Sequence, residues 1–195
     1  MYQRDSEKRL LKAVSSIIER DGFSKIGINK IAREAGCDKV LIYRYFGGIE
    51  GLLSAWAEEN DYYTLAYNAF YEEIKNAGND KIRELTKKVL LSHLNFLREN
   101  KLMQELIVWE LSGSSKFKVI QDIREENGHK LQQVFNDRVG FSNEDVSLYI
   151  SVLVSSIAFI VLCTRQYPVF NGIDFENCQS WEKLEAVISN YIDML

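Results

Sequence analysis

The sequence predicts an all-α protein, of a length that suits one compact domain or one small domain fused to a larger one. Three observations carry this. Apolar residues recur at three- and four-residue spacings along nearly the whole chain, and strand-like alternation persists nowhere. The 195 residues include one proline and eleven glycines, too few turn formers for a loop-rich all-β fold. Apolar residues make up 46% and charged residues 27%, a composition that can close a core rather than stay disordered.

Leu10, Leu11, Val14, Ile17 and Ile18 share one helical face, Ser6 offers an N-cap and Gly22 a C-terminal stop. A helix over about 6–21 follows. A short helix over about 29–35 carries Ile31, Ala32 and Ala35 and ends at Gly36. Asp38 can cap a third, over about 39–45, which Gly47-Gly48 ends. From Glu50 the pattern predicts one long helix to about Lys75, with a turn over residues 76–80. Ile82, Leu85, Val89, His93 and Phe96 then form the stripe of a helix over about 80–99. Leu102 to Leu111 is a shorter apolar helix closed by Ser112-Gly113-Ser114-Ser115. Another helix spans about 116–138, and Gly140 to Asn143 is the next break.

Residues 146–164 carry no charge for nineteen positions. Ser147, Ser151, Ser155, Ser156 and Thr164 interrupt the run, and Asp145 and Arg165 flank it. A helix buried by protein fits better than a membrane span. After Pro168 an irregular stretch leads to a last helix over about 180–194. There Trp181, Leu184, Ile188, Tyr191 and Leu195 have the spacing of a helix-pairing seam.

Charge divides the chain. Residues 1–56 hold ten Lys/Arg and seven Asp/Glu, while the rest hold fourteen and twenty-one. A basic end on an acidic body points to a polyanion partner for that end alone. The start, Met1-Tyr2-Gln3-Arg4-Asp5, has no apolar run, so no signal peptide is expected, and a cytoplasmic location is the default. Cys37, Cys163 and Cys178 are widely spread and supply neither a disulfide framework nor a paired-cysteine zinc site.

The most informative segment is residues 28–46, INKIAREAGCDKVLIYRYF. It has the physics of a helix-turn-helix. Ala32 is small enough for a close crossing and Gly36 gives a tight turn. Ile31, Ile42 and Phe46 can face the first helix. Lys39, Val40, Leu41, Tyr43, Arg44 and Tyr45 then lie on or near the outward side. Lysine offers a phosphate charge, arginine can fork onto guanine, and tyrosine hydroxyls reach phosphates. Any small three-helix unit shows comparable spacings, so periodicity alone leaves an ordinary packing unit open.

Gly22-Phe23, Ile31-Ala32-Arg33-Glu34-Ala35-Gly36, Leu41-Ile42-Tyr43-Arg44-Tyr45-Phe46, Glu50 and Leu52 together closely resemble the DNA-binding domain of the tetracycline-repressor (TetR) family. The likeness covers about residues 6–56. It implies a helix-turn-helix domain over residues 1–48 and a helical ligand-binding and dimerisation domain over 49–195. It also implies a homodimeric transcriptional regulator, usually a repressor, that leaves a palindromic double-stranded DNA operator when a small-molecule effector binds. By position, Lys39, Tyr43, Arg44 and Tyr45 fall where the family commonly touches DNA. Val40 and Leu41 stand where it often has Gly and Thr, and can meet thymine methyls.

Three positions depart from the family pattern. Ile49 replaces a lysine before the glutamate, Ile28 replaces a capping Thr or Ser, and Asp38 replaces a serine. Asn29 is expected to cap the second helix instead and to approach DNA. Arg4, Lys8, Arg9, Lys25 and Lys30 are expected to restore some phosphate attraction. The rival expectation is a helical small-molecule-binding or interaction module whose DNA binding has weakened or gone.

In the body, Tyr63, Tyr67, His93, Trp109 and Ser155 are the candidate effector contacts, with ordinary core packing as the competing explanation. The helices at about 146–164 and 181–195 are the candidate homodimer interface. Glu126-x-x-His129 has metal-motif spacing but lacks the second motif a di-metal bundle needs. No catalytic triad order, P-loop or dinucleotide loop occurs, so neither an enzyme nor a cofactor is expected.

Overall fold

The computed structural model describes residues 2–112, 118–136 and 143–194. Among them are ten α-helices, in order α1 (Tyr2–Asp21), α2 (Ile28–Ala35), α3 (Val40–Phe46), α4 (Ile49–Asn60), α5 (Tyr62–Asn76), α6 (Asn79–Glu99), α7 (Lys101–Glu110), α8 (Lys118–Asn136), α9 (Asn143–Thr164) and α10 (Cys178–Met194). A 3-10 turn, Phe23–Lys25, follows α1. The all-α expectation holds. The expected closure at Gly113-Ser114-Ser115 and the break starting at Gly140 lie outside the described residues.

The chain forms two compact units, Met1–Leu65 with Lys101–Asn127, and Ala66–Asn100 with Gly128–Leu195. In the first, α1 packs against α2, α3, α4 and α7. Leu10, Val14, Ile17, Ile18, Ile31, Ile42, Leu52 and Trp56 are sealed from solvent. Full burial of each aliphatic chain contributes about 1.5–3 kcal/mol. Helices of seven and eight residues are marginal in isolation, so α2 and α3 owe their order to this packing. The Trp56 indole donates to Ser15 Oγ at 2.9 Å, and the Trp109 ring of α7 lies 4.2 Å from that of Phe23.

In the second unit α6 packs against α9 and α10. Its buried residues include Ile82, Leu85, Leu90, His93, Leu94 and Leu97. Lys87 pairs with Asp193 at 2.7 Å, and the Arg98 guanidinium sits 4.3 Å over the Trp181 ring. Among the described residues no helix is long and apolar enough to cross a membrane.

Three sequence expectations for the fold change. Ser6 is not a cap: α1 starts a turn earlier, and Ser6 is buried on the stripe that continues through Leu10 and Val14. The long helix expected from Glu50 breaks at Asp61, which is extended and buried. Its carboxylate accepts from the backbone N–H and hydroxyl of Thr64, both at 3.1 Å, and so starts α5 afresh. The stretch after Pro168 contains a small antiparallel hairpin, β1 (Val169–Phe170) and β2 (Ile173–Asp174). Asn171 and Gly172, both at positive φ, form its two-residue turn. The helix-pairing seam expected on α10 is present and pairs with α6 in the same chain, with Ile188 buried and Trp181 under Arg98.

Candidate nucleic-acid interface

The α2–turn–α3 segment begins with a backbone cap. The carbonyl of Gly27 accepts from the N–H groups of Lys30 and Ile31 at 3.0 and 2.9 Å, and no side chain caps the helix. Asn29 therefore does not cap; it is exposed in the first turn of α2. At the other end Gly36 adopts φ 59, ψ 38. Cys37 N–H donates to Ala32 O at 2.9 Å and Gly36 N–H to Arg33 O at 3.2 Å, the two bonds of a Schellman stop. Asp38 then accepts from Val40 N–H at 2.9 Å, the expected cap of α3.

Ile42 points inward and is sealed. Lys39, Val40, Tyr43 and Arg44 are exposed at helical spacing, with Val40 at 59% and Tyr43 at 55%. Leu41 and Tyr45 are half-buried. This face offers two cations, a phenol and an aliphatic surface on one short helix. Among the described residues Lys39, Tyr43 and Arg44 have no ion-pair partner. Such a face can place cations at phosphates and donors at base edges in a major groove.

The neighbouring charges are not equally available. Arg20 spans to α2, donating to both oxygens of Glu34 at 2.9 Å and to Asp21 at 3.0 and 3.1 Å. Lys30 pairs with Asp21 at 2.8 Å. Hydrogen bonds from Arg20, then Lys30, hold the Asp21 carboxyl down to about 2. The Arg20 bonds likewise lower Glu34. Arg9 donates to Ala35 O at 2.5 Å and Gly36 O at 3.0 Å. Two of the five cations expected to face phosphate, Arg9 and Lys30, are thus engaged within the protein. Arg4, Lys8 and Lys25 are exposed.

The candidate effector contacts divide between the units. In the first, Trp109 stacks on Phe23, and Tyr63 lies 4.4 Å from the Arg124 guanidinium. Burial pushes the Tyr63 phenol well above its ordinary pKa. In the second, Tyr67 packs 4.8 Å from Tyr71, His93 is buried in α6, and Ser155 is exposed on α9. Among the described residues no three His, Cys, Asp or Glu side chains gather to hold a metal ion.

Sequence reasoning missed the group around Arg124. Its guanidinium binds Asp61 and, at 2.7 Å, Glu110. Burial works against that charge, and the two carboxylates outweigh it, so the pKa of Arg124 stands above the ordinary value. Gly51 was also missed. A Cβ there would lie 1.9 Å from the carbonyl oxygen of Phe46, so α4 meets the end of α3 where only glycine fits. No local signal marks either feature, since each depends on a neighbour in another helix.

Residues 10–56 match the family described as bacterial regulatory proteins, tetR family. No curated protein sequence matches the chain. Solved structures do. NalD, the secondary repressor of a multidrug efflux pump in Pseudomonas aeruginosa, is similar with a TM-score of 0.69 at 12% identity, over 95% of each chain. The fatty acid degradation regulator FadR from Bacillus halodurans gives 0.65 at 16% identity, over 96% of this chain and 94% of that one. FadR from Bacillus subtilis, in complex with stearoyl-CoA, gives 0.64 at 18% identity, over 95% and 96%. At these identities the likeness is one of fold.

Proposed function

We propose, for a chain that belongs through residues 10–56 to the bacterial regulatory proteins of the tetR family, that it is an effector-responsive repressor binding a palindromic operator as a homodimer. The observation that carries this is the exposed face of α3, with Lys39, Val40, Tyr43 and Arg44 turned outward while Ile42 is sealed inward. In this reading Arg44 takes a base edge, Lys39 and the Tyr43 and Tyr45 hydroxyls take phosphates, and Val40 and Leu41 meet thymine methyls. Asn29, exposed in the first turn of α2, adds a polar contact to the backbone. Residues 1–48 do the reading, and residues 49–195 bind the effector and the second subunit.

A homodimer follows from what one recognition helix can do. Seven residues read only a few base pairs, and pairing two of them adds both affinity and information. On α9, Leu148, Val152 and Phe159 are each more than half exposed, and Ser155 lies on the same stripe. On α10, Val187 and Met194 are exposed at 61% and 76%. These apolar faces are the surfaces a second subunit would cover. A small molecule bound in the body would act by preferring the conformation that reads DNA poorly. Tyr63, Tyr67, His93, Trp109 and Ser155 are the side chains to probe for it, one at a time.

The test is selection from random duplex DNA with the full-length protein, followed by binding of the enriched duplex across a salt series. The expected result is a palindromic duplex whose affinity falls with rising salt. No enrichment at low salt, from folded and dimeric protein, would remove this reading.

A further inference from the structure

We propose that Arg9 is a positioning residue for DNA reading: from α1 it fixes the turn that sets where α3 points. This rests on α3 being the reading helix. The Schellman stop at the end of α2 satisfies Ala32 O and Arg33 O. The carbonyls of Ala35 and Gly36 both take a donor from another helix, a single Nη2 of Arg9 that bridges them, while the Cys37 thiol adds a longer contact to Ala35 O at 3.5 Å. A cation at a helix C-terminus also complements the helix dipole. Gly36 is fitted to it: a Cβ there would lie 2.8 Å from that nitrogen.

The geometry makes this contact a reference point for α3. α1 is anchored by Leu10, Val14 and Ile17, all fully buried. Leu10 adjoins Arg9, so the guanidinium starts from a fixed backbone. Lys39 lies three residues beyond Gly36, immediately before α3, and Tyr43 and Arg44 follow on that helix. A displaced turn would move all three together. Base-edge hydrogen bonds weaken steeply once distance and angle drift. Attraction to the phosphate backbone is diffuse and tolerates such a shift. Arg9 therefore governs discrimination between sequences rather than attraction to DNA as such.

The test compares wild type with Arg9→Ala, Arg9→Gln and Arg9→Lys as full-length proteins. Each is titrated with the selected operator duplex and with a random duplex, over a salt series, at a temperature where circular dichroism shows it folded. Arg9→Ala should lower the ratio of operator to random affinity tenfold or more. Its affinity for random duplex and its salt slope should not move, a pattern that a general loss of stability does not produce. Arg9→Lys, which keeps a charged donor, should recover most of the ratio. Arg9→Gln, which keeps a shorter neutral donor, should lie between and serves if Arg9→Ala does not fold. An equal loss on both duplexes, with the slope reduced by about one, would make Arg9 a phosphate contact and overturn the proposal. An unchanged ratio in both Arg9→Ala and Arg9→Gln would overturn it as well. If wild type itself shows no operator preference, the DNA-reading function fails and the proposal falls with it.

Discussion

Arg124 holds the buried carboxylate of Asp61, sixty-three residues upstream, with two donors on one oxygen: Nε at 3.0 Å and Nη2 at 2.5 Å. The other Asp61 oxygen is taken by Thr64, so the carboxylate is fully satisfied while sealed from water. This pair places the break between α4 and α5. Removing Arg124 would leave a buried charge with half its partners. Arg124→Met should therefore destabilise the protein by about 3–5 kcal/mol. Urea unfolding measures this, and Arg124→Met combined with Asp61→Leu should recover part of the loss. A loss below about 1 kcal/mol in the single variant would mean that the pair is not what holds the junction.

Gly51→Ala tests the α3–α4 contact. The added methyl meets the backbone of Phe46, which cannot rotate away as a side chain would. The expected cost is about 1–3 kcal/mol, together with weaker operator binding because α3 must shift. Retained stability and retained binding would show that α4 can yield there.

Acid should loosen the link between α1 and α2. Asp21 and Glu34 are held below their ordinary carboxyl values, Asp21 at about 2 from 3.8. The folded domain thus binds fewer protons than the unfolded chain in that window. Its contribution is complete above the ordinary carboxyl value and is lost as the pH falls from about 3.8 toward about 2. Arg20→Ala, which removes the main partner, should flatten the acid limb of a stability–pH profile. Asp21 is half-buried and Glu34 exposed, so water screens both and the effect belongs in the shape of the curve more than in its height.

The apolar faces of α9 and α10 predict the state of assembly. Wild type should sediment at twice 22.6 kDa. Val152→Glu with Phe159→Glu should give a folded monomer that binds operator poorly. A variant that stays dimeric would place the interface elsewhere.

The short-range features of this fold were legible in the sequence. The core positions of α1, α2 and α3, the Gly36 turn and the Asp38 cap follow from spacing and turn chemistry within a few residues. The break at Asp61 was not, because apolar periodicity continues through Trp56 and Tyr62, and the partner that makes a buried aspartate tolerable is distant. The hairpin turn was legible in principle: Asn171-Gly172 is a two-residue turn signal that helical periodicity on either side obscured. Arg9 read as a surface cation, since nothing local says that its reach ends on the carbonyls of another helix. Trp109 illustrates the limit for effector contacts, as its stacking on Phe23 joins residues far apart in sequence.

In the proposed function α3 reads DNA sequence through Arg44 and its neighbours. The most direct measurement is equilibrium binding of wild type and Arg44→Glu to the selected duplex and to a scrambled duplex of equal length, at one salt concentration. Wild type should prefer the selected duplex by about 10³-fold or more. Arg44→Glu, folded by circular dichroism, should lose that preference. Equal binding of both duplexes by wild type, or an undiminished preference in Arg44→Glu, would mean that α3 does not read the sequence through Arg44.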